Sequence, residues 1–276
     1  MIRVTERRDL EEVSIVPFFR RAVLILGSLL ITAAAGVHCA HAAALEMIEI
    51  TACGQQIPRR TIGYLSADLN CSTAFPSVGV YLGRRAQLDL RGFTLSGGYV
   101  SVSCDPPECE HLPCVSRRSR CEVYGGAIED AGRTAIAGGR VSVHDLTISD
   151  SDTYAVLGHS RIDAVNVHLV SNPNGMQARK VRVTNSLLEA SLVNATRGRL
   201  TSTTITGNRR FGVVGTSFRL IDAHIVGNGT SFVCETTLCA DLFLKRRPRL
   251  DETSTCDVSL KINADPPTSL GVCALD

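Results

Sequence analysis

Five segments decide the fold: RVSVHDLTIS (140–149), RIDAVNVHLV (161–170), KVRVTNSLLE (180–189), RGRLTSTTIT (197–206) and SFRLIDAHIV (217–226). Each carries apolar or small residues at its second, fourth, seventh and ninth positions: Val141, Val143, Leu146, Ile148; Ile162, Ala164, Val167, Leu169; Val181, Val183, Ser186, Leu188; Gly198, Leu200, Thr203, Ile205; Phe218, Leu220, Ala223, Ile225. Successive segments start 21, 19, 17 and 20 residues apart. Alternation with period two is the mark of a strand with one buried face, and helical spacing is missing. The step of three in the middle of each segment marks a bend between two short strands.

Working outward, a third short strand recurs between these segments, at 134–137, 154–157, 175–178, 191–194 and 211–214. Three strands in a repeat of this length predict an all-β fold, a single-stranded right-handed parallel β-helix of about 17–21 residues per coil. A leucine-rich repeat has the same period but needs a Leu/Asn consensus that this chain lacks. An earlier unit, Leu88, Leu90, Phe93, Leu95, fits the same template. Two polar columns follow from the alignment: Gly92, Asp145, Asn166, Asn185, Ser202, Asp222 at the bend, and Gly98, Ser151, Asn172, Ser191, Asn208, Asn228 past the next strand. Such residues tolerate left-handed backbone and cap neighbouring amides, so they are expected to form side-chain ladders, and Asp145, Asp150 and Asp222 have a structural explanation.

The domain plan has three parts. Residues 1–44 read as an export signal, residues 45–244 as the β-helix with a Cys-rich insertion at 99–120, and residues 245–276 as an irregular coil and cap over strand edges. In the first part, Arg20 and Arg21 precede an uncharged run from Ala22 to Val37, followed by Ala-x-Ala cleavage options ending at Ala42 or Ala44. The apolar run is short for a membrane span. Cleavage there implies a secreted, periplasmic or cell-surface protein with no membrane contact afterwards.

Of eleven cysteines, cleavage removes Cys39 and leaves an even ten, which in an oxidising compartment implies disulfides. The expected local pairs are Cys53–Cys71, Cys234–Cys239 and Cys256–Cys273. Cys104, Cys109, Cys114 and Cys121 are expected to pair among themselves in an order the spacing does not fix. Their rival reading is zinc, but none forms a C-x-x-C pair. No metal and no cofactor are expected.

The segment Cys53-Gly54 through Asp68-Leu69-Asn70-Cys71, then Gly79-Val80, then Leu88-Asp89-Leu90-Arg91-Gly92-Phe93-Thr94-Leu95, resembles the opening coils of secreted bacterial β-helix repeat proteins of the pectin-lyase-like class. The resemblance covers about residues 50–240. It implies the fold strongly and the activity weakly, because that scaffold hosts lyases, hydrolases, epimerases, adhesins and inert proteins. Hydrolases of the class carry an Asp-Asp pair to activate water; this chain has none, and Gly158-His159-Ser160 only partly matches their Gly-His-Gly. The Asp-Pro-His of alginate epimerases is also missing.

The formal net charge is +2, which gives no global case for nucleic acid as a partner. Charge is concentrated locally. The columns flanking the first apolar position should face solvent: Gln87, Arg140, Arg161, Lys180, Arg197, Ser217, and Asp89, Ser142, Asp163, Arg182, Arg199, Arg219. Seven of these twelve are basic and two acidic, so one sheet gathers one sign of charge. Stacked like charges repel by about 0.2–1 kcal/mol each, and a polyanion running along the stack would relieve that. The expected ligand residues are therefore Arg140, Arg161, Lys180, Arg182, Arg197, Arg199 and Arg219, and the expected partner is an acidic polysaccharide or other cell-surface polymer. The alternatives are a polysaccharide lyase using Arg182 or Arg199 as base, and a structural or adhesive surface protein. His168 and His224 share an outward column with Thr94, Thr147 and Thr204 and read as surface residues.

Overall fold

The computed structural model describes residues 45–72, 78–104, 119–229, 240–246, 248–257, 259–261 and 269–271. The expected signal at 1–44, Cys109, Cys114, Cys234, Cys239 and Cys273 lie outside the described residues. Among the described residues there are eighteen strands and no helix. They are β1 (Met47–Ile50), β2 (Gln55–Ile57), β3 (Ile62–Leu65), β4 (Leu69–Asn70), β5 (Val78–Leu82), β6 (Gln87–Asp89), β7 (Thr94–Ser96) and β8 (Val100–Ser103), followed by β9 (Arg120–Glu129), β10 (Thr134–Ser149), β11 (Tyr154–Val170), β12 (Met176–Glu189), β13 (Val193–Thr206), β14 (Phe211–Ile225), β15 (Ala240–Leu244), β16 (Thr255–Cys256), β17 (Ser259–Lys261) and β18 (Ser269–Gly271).

Every strand pairing is parallel except β17 with β18. From β9 to β14 each long strand pairs with the next, so residues one repeat apart become lateral neighbours: Val141↔Ile162↔Val181↔Gly198↔Phe218 and Ile148↔Leu169↔Leu188↔Ile205↔Ile225. The first coils are made of shorter strands: β3 pairs with β6 and β6 with β9, while β5 pairs with β8 and β8 with β10. Thus β8 occupies part of the stretch read as an insertion, and β9 begins at its last residue, Arg120.

The apolar columns point inward and form one core cluster running from Ile50 to Cys256. Ile148, Leu169, Leu188, Ile205 and Ile225 are fully inaccessible to solvent. Each such side chain stabilises the fold by about 1.5–3 kcal/mol relative to exposure. Where the seventh position is polar, the hydroxyl bonds locally: Ser186 Oγ donates to Thr184 O at 2.8 Å and Thr203 Oγ1 to Thr201 O at 2.9 Å. This is how hydroxyls sit in an aliphatic column without loss.

The bends follow the polar columns, with one correction. Asp145, Asn166, Asn185, Ser202 and Asp222 all take left-handed backbone, φ 47–54°, as expected of the first column. In the second column the left-handed residue is the one before: Asp150, Ser171, Ala190, Gly207 and Gly227. Ser151, Asn172, Ser191 and Asn208 themselves are buried, and Asn172 and Ser191 cap the amide one repeat earlier, Ser151 N and Asn172 N. Asn172 Nδ2 donates to Ile148 O and Val170 O at 2.9 Å, while its Oδ1 accepts from Ser151 N at 3.1 Å. Asn228 repeats the pattern, donating to Ile205 O and accepting from Asn208 N.

A second correction concerns the first unit. Leu88 pairs with Val123, and Val123 with Val143, so Leu88 stands level with the second apolar position and not the first. Leu95 keeps its expected level with Ile128 and Ile148. The slack is taken up at the bend, where Arg91 and Gly92 are both left-handed (φ 53° and 84°), against one residue in the later repeats. Gln87 consequently joins the second outward column, beside Glu122 and Ser142, and Asp89 the third, beside Tyr124 and His144.

The glycine at position 198 interrupts an otherwise apolar column because Phe218, one repeat later, fills its space; a Cβ on Gly198 would overlap that ring. Gly198→Val is therefore expected to destabilise by about 1–3 kcal/mol through overpacking. Phe218→Val alone should cost at least as much through the cavity it leaves. Combining the two should recover most of both losses in denaturant melts, whereas strictly additive losses would mean that the two positions do not share one space.

Two disulfides join described residues. Cys53–Cys71 is one of the expected local pairs, with Cα atoms 5.7 Å apart. Within the group of four, Cys104 pairs with Cys121, Cα to Cα 5.6 Å. Cys256 is also disulfide-bonded. These bonds fit an oxidising, extracellular setting. No helix among the described residues is long and apolar enough to cross a membrane.

Candidate functional site: a basic sheet face

The middle segment of each repeat presents three alternate residues to solvent, because its intervening residues fill the core. The register assigns them to columns. The first runs Arg120, Arg140, Arg161, Lys180, Arg197, Ser217, and the second Gln87, Glu122, Ser142, Asp163, Arg182, Arg199, Arg219, Arg249. All seven basic residues expected from the sequence therefore lie on one face, in two adjacent rows. Six are exposed and Arg161 is half-buried. Along a column the backbone spacing is about 4.8 Å, and between same-face residues of one strand it is about 6.7 Å.

The rows contain two cations that the sequence alignment left out. Arg120 falls in the stretch whose sequence reads as the Cys-rich insertion, and Arg249 in the stretch that reads as the terminal cap. The signal was there in Arg120-Cys121-Glu122-Val123, which copies Arg140-Val141-Ser142-Val143, and in the pair Arg249-Leu250 set against Arg219-Leu220. Arg249 forms a parallel bridge to Arg219 and its amide nitrogen donates to Phe218 O at 2.9 Å. Arg85, in the left-handed turn before β6, donates its amide nitrogen to Arg120 O and so lies at the forward end of the first column.

The two ends of the face differ in charge pairing. In the forward half, Arg161 Nη2 donates to Asp163 Oδ1 at 2.7 Å and the two form an ion pair. Gln87 Nε2 donates to Glu122 Oε2 at 3.0 Å, and His144 Nε2 lies 3.1 Å from Glu122 Oε1. In the rear half, Lys180, Arg182, Arg197, Arg199, Arg219 and Arg249 have no carboxylate within 4.0 Å among the described residues. Arg182 and Arg199, the candidates for a catalytic base, belong to this group; Asp163 precedes Arg182 in the column but is paired with Arg161.

Beyond the second column, Tyr124 stacks on His144 with ring centroids 4.6 Å apart. Burial, then the charges of Asp89 and Glu122, push the Tyr124 hydroxyl above the usual phenol range. Asp145 is held below the usual carboxylate range by hydrogen bonds from Asn166 and His144. His168 pairs with Glu189 at 2.9 Å and His224 Nδ1 lies 2.9 Å from Thr255 Oγ1, in one outward column as expected. Among the described residues, no group of three His, Cys, Asp or Glu side chains could hold a metal ion. A cavity of about 400 Å³ opens at the other bend, lined by Gly158, His159, Gln177, Arg179 and Asn194, so the partial Gly-His-Gly match sits beside amides and a guanidinium rather than a carboxylate pair.

Compared with known proteins, the chain matches no protein family, no curated protein and no solved structure.

Proposed function

We propose that the chain is an exported right-handed parallel β-helix of the pectin-lyase-like class, non-catalytic, whose basic sheet face binds an acidic glycan or other anionic surface polymer. The observation that carries this reading is the rear half of the face: six cations in two registered rows, none within 4.0 Å of a carboxylate among the described residues. Holding like charges at strand spacing costs stability, and a bound polyanion reverses the sign of that cost. Arginine dominates, and its planar fork suits carboxylate and sulfate groups. The fold assignment draws support from the in-register parallel repeats, and the hand from the near-universal right-handed sense of parallel crossovers. Export draws support from the charged, apolar and small-residue order of residues 1–44 and from the disulfides.

The test is retention of the protein on immobilised heparin and polyuronate. The parent should be retained and released by moderate salt, since exposed charges are screened over about 8–10 Å at physiological ionic strength. Reversing Arg182, Arg199 and Arg219 together to Glu should weaken binding by about a hundredfold or more without changing the melting temperature appreciably. Reversing three cations in the bends that precede β10 and β14, Arg133, Arg209 and Arg210, which enter neither column, changes net charge equally and should leave most of the retention. Equal loss in both variants, or a parent that is never retained, overturns the proposal. Formation of unsaturated product from the polyuronate would favour the lyase reading instead.

A further inference from the structure

We infer that the forward half of this face is a selectivity element, which admits acidic polymers carrying hydroxyl groups and turns away charge-dense polyanions that have none. The inference rests on the reading of the face as a polymer-binding surface. It starts from two adjoining cavities between the first and second columns. One, of about 170 Å³, is lined by Arg120, Arg140, Val141, Ser142, Arg161 and Asp163. The other, of about 140 Å³, is lined by Arg85, Gln87, Arg120, Glu122 and Ser142 among others. They share Arg120 and Ser142, so together they form a trough running along the stack.

The two walls of the trough are chemically unlike. One wall is Arg85, Arg120, Arg140 and Arg161, a row of cations. The other is Gln87, Glu122, Ser142 and Asp163, which can accept hydrogen bonds throughout and carries two negative charges. Both carboxylates are fixed by neighbours: Glu122 by Gln87 and His144, Asp163 by Arg161. A carboxylate offers about four lone-pair sites, so each retains capacity to accept from a ligand hydroxyl. A sugar with its acid group on one edge and hydroxyls on the other meets both walls favourably. A polymer with charge on every side, such as polyphosphate, places anions against Glu122 and Asp163 and supplies no proton to them. Like charges brought into contact repel even in water, and more strongly beside a protein surface. The rear half attracts any polyanion, and the forward half chooses among them.

The experiment compares polyuronate and linear polyphosphate of matched length by titration calorimetry, with the parent and with Glu122→Gln/Asp163→Asn. The parent should bind polyuronate more tightly than polyphosphate. In the double variant polyphosphate should gain about tenfold while polyuronate gains less or weakens, since a hydroxyl acceptor has been exchanged for an amide. Ser142→Ala, which removes no charge, should weaken polyuronate only. Equal gains for both polymers, or no change in either, overturn the selectivity and leave the binding face standing. A parent that binds neither polymer overturns the binding face itself. Both carboxylate changes are near-isosteric at half-buried positions, and unaltered melting curves for the variants establish that they fold.

Discussion

Ile148→Asp, Leu169→Asp and Ile205→Asp are each expected to abolish soluble folded protein, while Thr147→Asp and Thr204→Asp express and melt close to the parent. The two sets are sequence neighbours on the same strands, and only the direction of the side chain separates them. Ile148, Leu169 and Ile205 are 0% exposed, and in their column each is flanked by another aliphatic residue. A carboxylate there has no cation or donor to meet and would have to stay ionised in hydrocarbon or take up a proton, at a cost of several kcal/mol. Against a net stability of about 5–15 kcal/mol, that is enough to prevent folding in a chain that must also form disulfides. Thr147 and Thr204 are half-buried, and Asp at either faces solvent and a histidine neighbour, His168 or His224. Its cost should stay below about 1 kcal/mol. Soluble yield and urea midpoints measure the contrast. Similar behaviour of both sets would mean the register is displaced by one residue, which exchanges every inward and outward position.

The second large effect is expected at Asn172. Asn172→Leu preserves approximate volume and removes every hydrogen bond the side chain makes. Ser151 N loses its acceptor, and the carbonyls of Ile148 and Val170 lose a donor, in a position with no exposure at all. Val170 O still accepts from Asp150 N at 3.1 Å, but a buried amide such as Ser151 N left unpaired costs about 1–3 kcal/mol, so the loss should reach about 2–4 kcal/mol. Asn172→Asp tests the direction of the bonds, because it keeps an acceptor for Ser151 N but has no donor for the two carbonyls. It should be destabilised nearly as much, and the deficit should shrink in mild acid, where a protonated carboxyl can donate once. A loss under about 1 kcal/mol for Leu would show that these backbone groups are satisfied in some other way.

Much of this architecture is legible in the sequence because the repeat states each rule several times. Alternation alone identifies the inward columns, and each pair such as Val143 and Ala164, or Ile148 and Leu169, lands in register as read. Asn and Asp at the middle bend announce left-handed backbone because few other L residues accept it at low cost. The same logic fails where the chemistry is not distinctive. Ala190 takes φ 48° with nothing in its side chain to announce it, and attention falls instead on Ser191, whose polarity serves hydrogen bonding. The register of the first unit is obscured because Arg91 and Gly92 together turn a corner that a single residue turns elsewhere. Gly198 looks like a defect in the column until its neighbour a full repeat away, Phe218, is known to occupy the gap. The partner of Cys104 depends on which chain segments lie on adjacent coils, and spacing does not encode that.

The candidate site divides the same way. Alternation is enough to place the seven cations on one face. Arg120 and Arg249 join the rows only because the stack brings distant segments alongside. The pairing of Arg161 with Asp163, and of Glu122 with Gln87 and His144, splits the face into two halves, a division invisible in net charge.

The single-residue corner has a genetic consequence. From β10 to β14 successive repeats meet through the same columns and turn on one left-handed residue at the middle bend, so the junction between two repeats looks much like the next. Slippage or unequal crossing-over that copies or deletes one whole repeat creates no unfamiliar contact, whereas gain or loss of a few residues inside a strand shifts every column beyond it. A gene of this kind is free to vary in length by quanta of one repeat, and each added quantum lengthens the surface rows by one position. Gly198 and Phe218 mark the exception: the repeats that carry them must be inherited side by side, and a breakpoint between them strands an oversized ring against an ordinary neighbour.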